Sequence, residues 1–191
     1  MSLTRHSHLQ QAHLIWGHWL QEGHWAVDAT CGNGHDTLKL SELVGASGGV
    51  IALDIQEEAI ESAKSRVKAP NVHFFCQSHA SFPSLSQEHP IHLIAYNLGY
   101  LPGGEKDKTT LKESTLMSLK AALKLVTPGG LISLTCYPGH PEGAAEEALL
   151  LDYVNQLDSR EYNVSHTQWK NRNEAPSLLI IQRNSYHSNQ H

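Results

Sequence analysis

No stretch of this sequence stays apolar for the roughly 20 residues that a bilayer crossing needs. Its opening, "MSLTRHSHLQQAHLIWGHWLQEGHW", is broken by histidine or glutamine every few residues, unlike the unbroken core of a signal peptide. A soluble cytoplasmic protein without membrane contact is expected. Cysteine is scarce: Cys31, Cys76 and Cys136 cannot all pair within one chain, and no CxxC or zinc-type Cys/His spacing accompanies the 14 histidines. Neither a disulfide framework nor a metal is expected. Excess positive charge is also missing. The formal net charge of −5 is the wrong sign for a protein that coats nucleic acid indiscriminately, so any RNA contact has to be local. Lys106, Lys108 and Lys112, or Arg160, Lys170 and Arg172, are the cationic groups available, and ordinary solvated charge explains them equally well. With no internal repeat and no low-complexity linker, the chain reads as one domain over residues 1–184 with a disordered polar tail at 185–191.

What is present is an alternation. "WAVDA", "GVIALDI", "VHFFC", "IHLIAYN", "GLISLTCY" and "SLLIIQ" are short runs rich in Val, Ile and Leu, the pattern of strands buried on both faces of a parallel sheet. Segments of helical period separate them. "QEEAIESAKSRVKAP" has acids in its first turn and bases in its last, with Pro70 beyond, which suits a helix dipole at both ends. "DTLKLSELVG" and "EGAAEEALLLDYVNQL" are further helices, "LQQAHLIWGHWLQ" precedes the first strand, and "TTLKESTLMSLKAALKLVTPGG" lines up Leu111, Leu116, Leu119, Ala122, Leu123 and Val126 before stopping at Pro128. The spacing predicts an α/β fold with a doubly wound, mostly parallel sheet and helices on both faces.

In such sheets a ligand lies outside the carboxyl ends of the strands, and the first turn is the usual place. Here that turn is "VDATCGNGHDT", Val27 to Thr37. Gly32 and Gly34 let backbone approach a ligand, and the following helix directs free N–H groups into the crevice. About twenty residues on, Asp54 closes the second strand, placed to accept from a ribose's two hydroxyls. The pairing of glycine turn and acid outweighs a plain strand-to-helix connection in which Asp54 merely caps a helix. NAD and S-adenosylmethionine both offer a ribose, and the turn separates them. A pyrophosphate favours a third glycine, where this chain has Thr37; a sulfonium, amine and carboxylate favour polar and acidic groups, and the turn offers Asp28, Thr30, Asn33 and Asp36, with Asn33 and Asp36 expected at the methionine end and Asp28 expected to support the turn through hydrogen bonds to backbone N–H groups. Gln56 is a further candidate for the ribose or adenine, and Ser78 and His79, after the third strand, for the adenine edge. The turn resembles the first motif of Rossmann-like methyltransferases, an acid followed by three alternate glycines, with Thr30 in place of the first.

The fourth strand runs into "NLGYLPGGEKDKTT". Asn97 and Tyr100 resemble the Asn-Pro-Pro-Tyr-type motif of amine methyltransferases, in which the asparagine and a following carbonyl accept from the target amine while the ring packs on the substrate; Leu98 and Gly99 replace the prolines. The alternative is an Asn-Gly turn with Tyr100 as a packing residue. Taken together, "DATCGNGHDT", "LDIQEEAI", "NLGYLPGGEKDKTT", "YPGHPEG" and "NRNEAPSLLIIQR" occur in the order and approximate spacing of a bacterial family known as rRNA methylases, and the resemblance runs from the helix around His13 to the last strand. It implies a class I methyltransferase with a seven-stranded sheet, S-adenosylmethionine as donor and S-adenosylhomocysteine as product. The family includes the enzyme that methylates the aminomethyl group of 5-aminomethyl-2-thiouridine at the tRNA wobble position, so the resemblance also implies tRNA modification, with the anticodon stem-loop as partner.

Methyl transfer from a sulfonium is an in-line displacement needing an aligned, unprotonated acceptor. Asn97 is expected to orient the amine and Tyr100 to pack on the base. His140, after the fifth strand, and His13, in the leading helix, are candidates to receive the proton. Gly99, Leu101 and Pro102 are expected to line the acceptor pocket, and Lys106, Lys108 and Thr109 to meet RNA phosphate. A homodimer would merge weak basic patches. The rival acceptors are an rRNA base or a small-molecule amine; rivals of another class are a NAD-dependent oxidoreductase and a non-catalytic donor-binding module.

Overall fold

The computed structural model describes residues 7–99 and 112–185. Its first element, α1 (His8–Trp19), starts on a capping box in which the Ser7 hydroxyl accepts from the Gln10 N–H and the Gln10 side chain returns the bond to Ser7. Then follow β1 (Trp25–Asp28), α2 (His35–Val44), β2 (Gly49–Asp54), α3 (Glu57–Arg66), β3 (Val72–Cys76), the single turn α4 (Leu85–Glu88), β4 (Ile91–Asn97), α5 (Lys112–Leu125), β5 (Val126–Cys136), α6 (Pro141–Val154), β6 (Tyr162–Thr167) and β7 (Ser177–Arg183). The strands form one seven-stranded sheet in the order β3-β2-β1-β4-β5-β7-β6, in which β7 alone runs opposite to the other six.

Alternation along the strands builds two cores. Ala26, Val50, Leu93, Ala95 and Leu131 face α1 and α2, packing with Ala12, Trp16, Leu40 and Val44, while α3 covers Ala52 with Ile60 and Ala63. The opposite side of the strands, with Val27, Ile51, Ile94, Tyr96 and Ile132, packs on Leu119, Ala122 and Leu123 of α5 and Leu150 and Val154 of α6. Helices therefore lie on both faces, as the β/α alternation predicts. Among the described residues, no helix is long and apolar enough to cross a membrane.

Three local readings change. The helix expected to run to Pro128 ends at Leu125, and Val126 opens β5, fully buried and paired with Ile91. Proline is tolerated there because the register shifts between Ile91 and Leu93, a bulge spanned by the Thr127 hydroxyl's bond to the Ile91 carbonyl. Strand β6 left no apolar run in the sequence because it is the sheet's edge and its residues are largely exposed. The suggested basic group of Arg160, Lys170 and Arg172 is divided. Tyr162 pairs with Arg183 and Thr167 with Leu178, so Arg160, which is ion-paired to Asp158 at 2.5 Å, and Lys170 with Arg172 flank opposite ends of β6. Of the expected tail, only Ser185 lies within the described residues.

Candidate active site

Strands β1 and β4 are neighbours although two strands separate them in the chain, so the connections diverge at their carboxyl ends and leave a crevice there. The turn after β1 is zipped on both sides: the Ala29 N–H donates to the Ala95 carbonyl of β4, and the Cys31 N–H to the Leu53 carbonyl of β2. Gly32 and Gly34 have φ of 49° and 78°, the left-handed region that favours glycine, and a Cβ on Gly34 would stand 2.9 Å from Ala63 of α3. Helix α2 thus starts on a residue with no capping side chain, leaving its first N–H groups open toward the crevice.

Three carboxylates surround this turn. Asp28 is 1% exposed and spends its oxygens inside the turn, accepting from the Thr30 N–H at 3.3 Å and the Thr37 hydroxyl at 2.6 Å. Burial, and then the charge of Asp36, push its carboxyl up to about 7. Asp28, grouped with the cofactor-binding candidates as the support of the turn, has that supporting role here, with its oxygens enclosed. Thr37 fills the third-glycine position with a hydroxyl that ties α2 to β1. Asp54, half-buried, accepts from the Gly32 N–H at 3.0 Å and the Gln56 N–H at 2.9 Å, and each oxygen keeps a lone pair for a diol. Gln56 is the N-cap residue of α3 and contributes its backbone. Asn33 is fixed through its carbonyl by Arg66 Nε at 2.7 Å.

Asp36, in the first turn of α2, joins the turn to the acceptor side. Its Oδ1 is 2.7 Å from His13 Nε2 of α1, and its Oδ2 accepts from Asn97 Nδ2 at 3.4 Å. An ionised carboxylate only accepts, so it sets the Asn97 amide with nitrogen toward Asp36 and leaves Oδ1 available to a donor. The backbone of Asn97 is held too, its N–H donating to the Thr30 hydroxyl at 2.7 Å. Thr30, expected to contact the cofactor, is thereby a strut between the β1 turn and the end of β4, a bond that a glycine there could not make.

The remaining candidates divide. His140 accepts from the Gly143 N–H through Nδ1 at 3.0 Å and caps α6, and the same nitrogen lies 3.4 Å from Glu142. His79, expected at an adenine edge, is 6% exposed and meets the Tyr96 ring edge-on, with burial lowering its imidazole to about 4. It packs inward because Tyr96 offers an apolar wall, and only Ser78 of that pair is exposed. Tyr100, Leu101, Pro102, Lys106, Lys108 and Thr109 lie outside the described residues.

Two features escaped the sequence. Ile55, 47% exposed directly beyond Asp54, is an apolar wall beside the acid that faces a diol; its signal was an aliphatic residue continuing past the strand end. Tyr137, just after β5, has its hydroxyl 3.1 Å from His8 Nε2, while a Cβ on Gly99 would meet its ring at 3.1 Å. Gly99 therefore makes room for Tyr137. The "YPGH" block pointed to this spot only through its histidine.

A crevice with open helix N–H groups for a carboxylate, an acid for a diol, and the carboxylates of Asp36 and Asp54 suits a cationic, ribose-bearing ligand and opposes a pyrophosphate. The family model described as putative rRNA methylase matches residues 50–183. A chloroplastic tRNA (mnm(5)s(2)U34)-methyltransferase from Arabidopsis thaliana is 38% identical over 183 residues, which is 89% of this chain and 67% of that protein. The crystal structure of a putative rRNA methylase from Clostridium thermocellum, 32% identical, superposes with a TM-score of 0.88 over 95% of this chain and 100% of that one. A putative methyltransferase from Streptococcus mutans, solved in complex with S-adenosylhomocysteine, is 29% identical with a TM-score of 0.80 over 92% and 97% of the two chains.

Proposed function

The chain belongs to the putative rRNA methylase family and is an S-adenosylmethionine-dependent methyltransferase; from that premise we propose that its acceptor is the aminomethyl nitrogen of 5-aminomethyl-2-thiouridine at the tRNA wobble position. The observation that carries an amine acceptor is Asn97, whose amide nitrogen is turned to Asp36 so that Oδ1 accepts from an N–H donor. The choice of tRNA is supported by the Arabidopsis relative, which is named for the wobble nucleoside mnm(5)s(2)U34.

When bound, S-adenosylmethionine supplies an electrophilic methyl group on a sulfonium. Asp54 would hold the ribose diol, with Gln56, Ser78 and the exposed Ile55 available to the nucleoside. The open N–H groups of α2, with Asn33 and Gly34, would hold the methionine carboxylate. Asp36 fixes Asn97 through its side chain and Thr30 fixes it through its backbone, so the acceptor nitrogen is aligned before it reacts. We assign base packing to Tyr100, the pocket wall to Gly99, Leu101 and Pro102, and phosphate contact to Lys106, Lys108 and Thr109. An alkylamine with a pKa of about 10 is unprotonated in only about one molecule in a thousand at neutral pH, which costs about 4 kcal/mol, so proton removal is part of the task. We further propose that the reaction takes place in the cytoplasm, in a single domain over residues 1–184, and that pairing of two copies merges their basic patches over the anticodon stem-loop.

Nucleoside analysis of bulk tRNA from a strain lacking this gene tests the acceptor. Loss of the methylaminomethyl nucleoside with build-up of its aminomethyl precursor is expected. Unchanged tRNA with a methyl group missing from rRNA refutes the tRNA acceptor.

A further inference from the structure

We infer that Tyr137 and His8 are the path by which the acceptor amine loses its proton: the ammonium gives a proton to the Tyr137 hydroxyl as that hydroxyl passes its own to Nε2 of His8, and the imidazolium releases it to water. The amine keeps the electron pair of the broken N–H bond and uses it to attack the methyl group. This rests on the amine reading of the site.

The contacts run from the reacting position to the surface. The Tyr137 ring lies against Gly99, two residues beyond Asn97, and its hydroxyl is 3.1 Å from His8 Nε2. The two rings meet edge to face, with centroids 5.3 Å apart and planes at 89°. Both residues are half-buried, and His8 opens the first turn of α1 beside exposed Ser7, so the path ends in solvent. Gly99 gives way to the Tyr137 ring, so the short motif after β4 has the space for this phenol built into it.

The resting protonation states leave a donor and an acceptor in place along the path. Burial lowers the His8 imidazole below its ordinary value, keeping a neutral acceptor at pH 7, and burial pushes Tyr137 up to about 12, keeping it a phenol that donates. Among the described residues, the charged and titratable groups facing the pair are Asp36 from α2, which acts on both, and Cys136 from β5, beside Tyr137; His13 of α1 is bound to Asp36. The Asp36 carboxylate favours the imidazolium once it forms. The two histidines first considered as proton acceptors each have a ring nitrogen engaged, His13 Nε2 with Asp36 and His140 Nδ1 with the Gly143 N–H.

The test is the pH profile of kcat from pH 6 to 10 on tRNA carrying 5-aminomethyl-2-thiouridine, for wild type, Tyr137→Phe and His8→Ala, with the Kd for S-adenosylhomocysteine measured by calorimetry. Both variants are expected to keep that Kd within about twofold and to lose about 10²-fold in kcat at pH 7. The loss should shrink toward pH 10, where the amine deprotonates unaided, and added imidazole should restore His8→Ala but not Tyr137→Phe. Profiles that parallel wild type at every pH overturn the path while leaving the acceptor intact; a wild type that never methylates this tRNA overturns the acceptor, and the path with it. An NMR titration of wild-type His8 reads the same claim without any variant: a neutral ring at pH 7.5 supports it, and an imidazolium there overturns it.

Discussion

Asn97 is held twice, by the Asp36 carboxylate at its side chain and the Thr30 hydroxyl at its backbone, and such a residue works by alignment. Asn97→Ala should lower kcat by about 10²-fold while leaving the S-adenosylhomocysteine Kd unchanged, since its side chain faces the acceptor and not the donor; stopped-flow or single-turnover assays beside calorimetry separate the two. Asp54→Asn should do the opposite and weaken S-adenosylhomocysteine about tenfold by calorimetry, because it removes the charge from two diol hydrogen bonds while keeping the side chain's shape. A variant binding as tightly as wild type contradicts the assignment. Both residues were legible in the sequence because each ends an apolar run, and a strand end in a doubly wound sheet is an address. Tyr137 and His8 were not, because they stand 129 positions apart and only the sheet's closure brings their rings together. His79 shows the converse limit. Its position near the crevice was readable, but which way its side chain turns was decided by packing against Tyr96.

The helices and strands that carry these residues were recovered where a single period dominates. α3, with acids first and bases last, was clear, whereas the end of α5 was misread because Val126 suits a helix face and a buried strand equally well. The hidden edge strand β6, Tyr162–Thr167, carries too few apolar residues to show an alternation, since an edge buries little. Helices α5 and α6 are joined by a polar link, the Thr115 hydroxyl donating to Glu146 Oε1 at 2.6 Å. Burial raises the Glu146 carboxyl to about 7. The folded state therefore keeps a proton that the unfolded chain releases above its ordinary carboxylate value, so this group's contribution to stability falls as pH rises from about 4.5 to about 7 and is level beyond. Glu146→Gln keeps the acceptor oxygen and removes the titration. Denaturant melts should find it more stable than wild type by about 1–3 kcal/mol at pH 8, with the difference gone near pH 4. A variant that is weaker at pH 8 contradicts the buried, proton-holding carboxyl.

For the molecule as a whole, the alternation of strands and helices was enough to foresee an open doubly wound sheet, because β/α connections of this length return on the same hand and place the crevice where β1 meets β4. That reversal sets Asp54, Asp36 and Asn97 along one edge of the sheet, a donor site beside an acceptor site. The acceptor's identity was legible only through resemblance, since a chain of net charge −5 does not announce an RNA substrate. The most direct measurement incubates the protein with methyl-labelled S-adenosylmethionine and tRNA that stops at 5-aminomethyl-2-thiouridine, then digests the tRNA and identifies the labelled nucleoside. Label in 5-methylaminomethyl-2-thiouridine is the predicted result; label in any other nucleoside, or none in tRNA while rRNA is labelled, contradicts it.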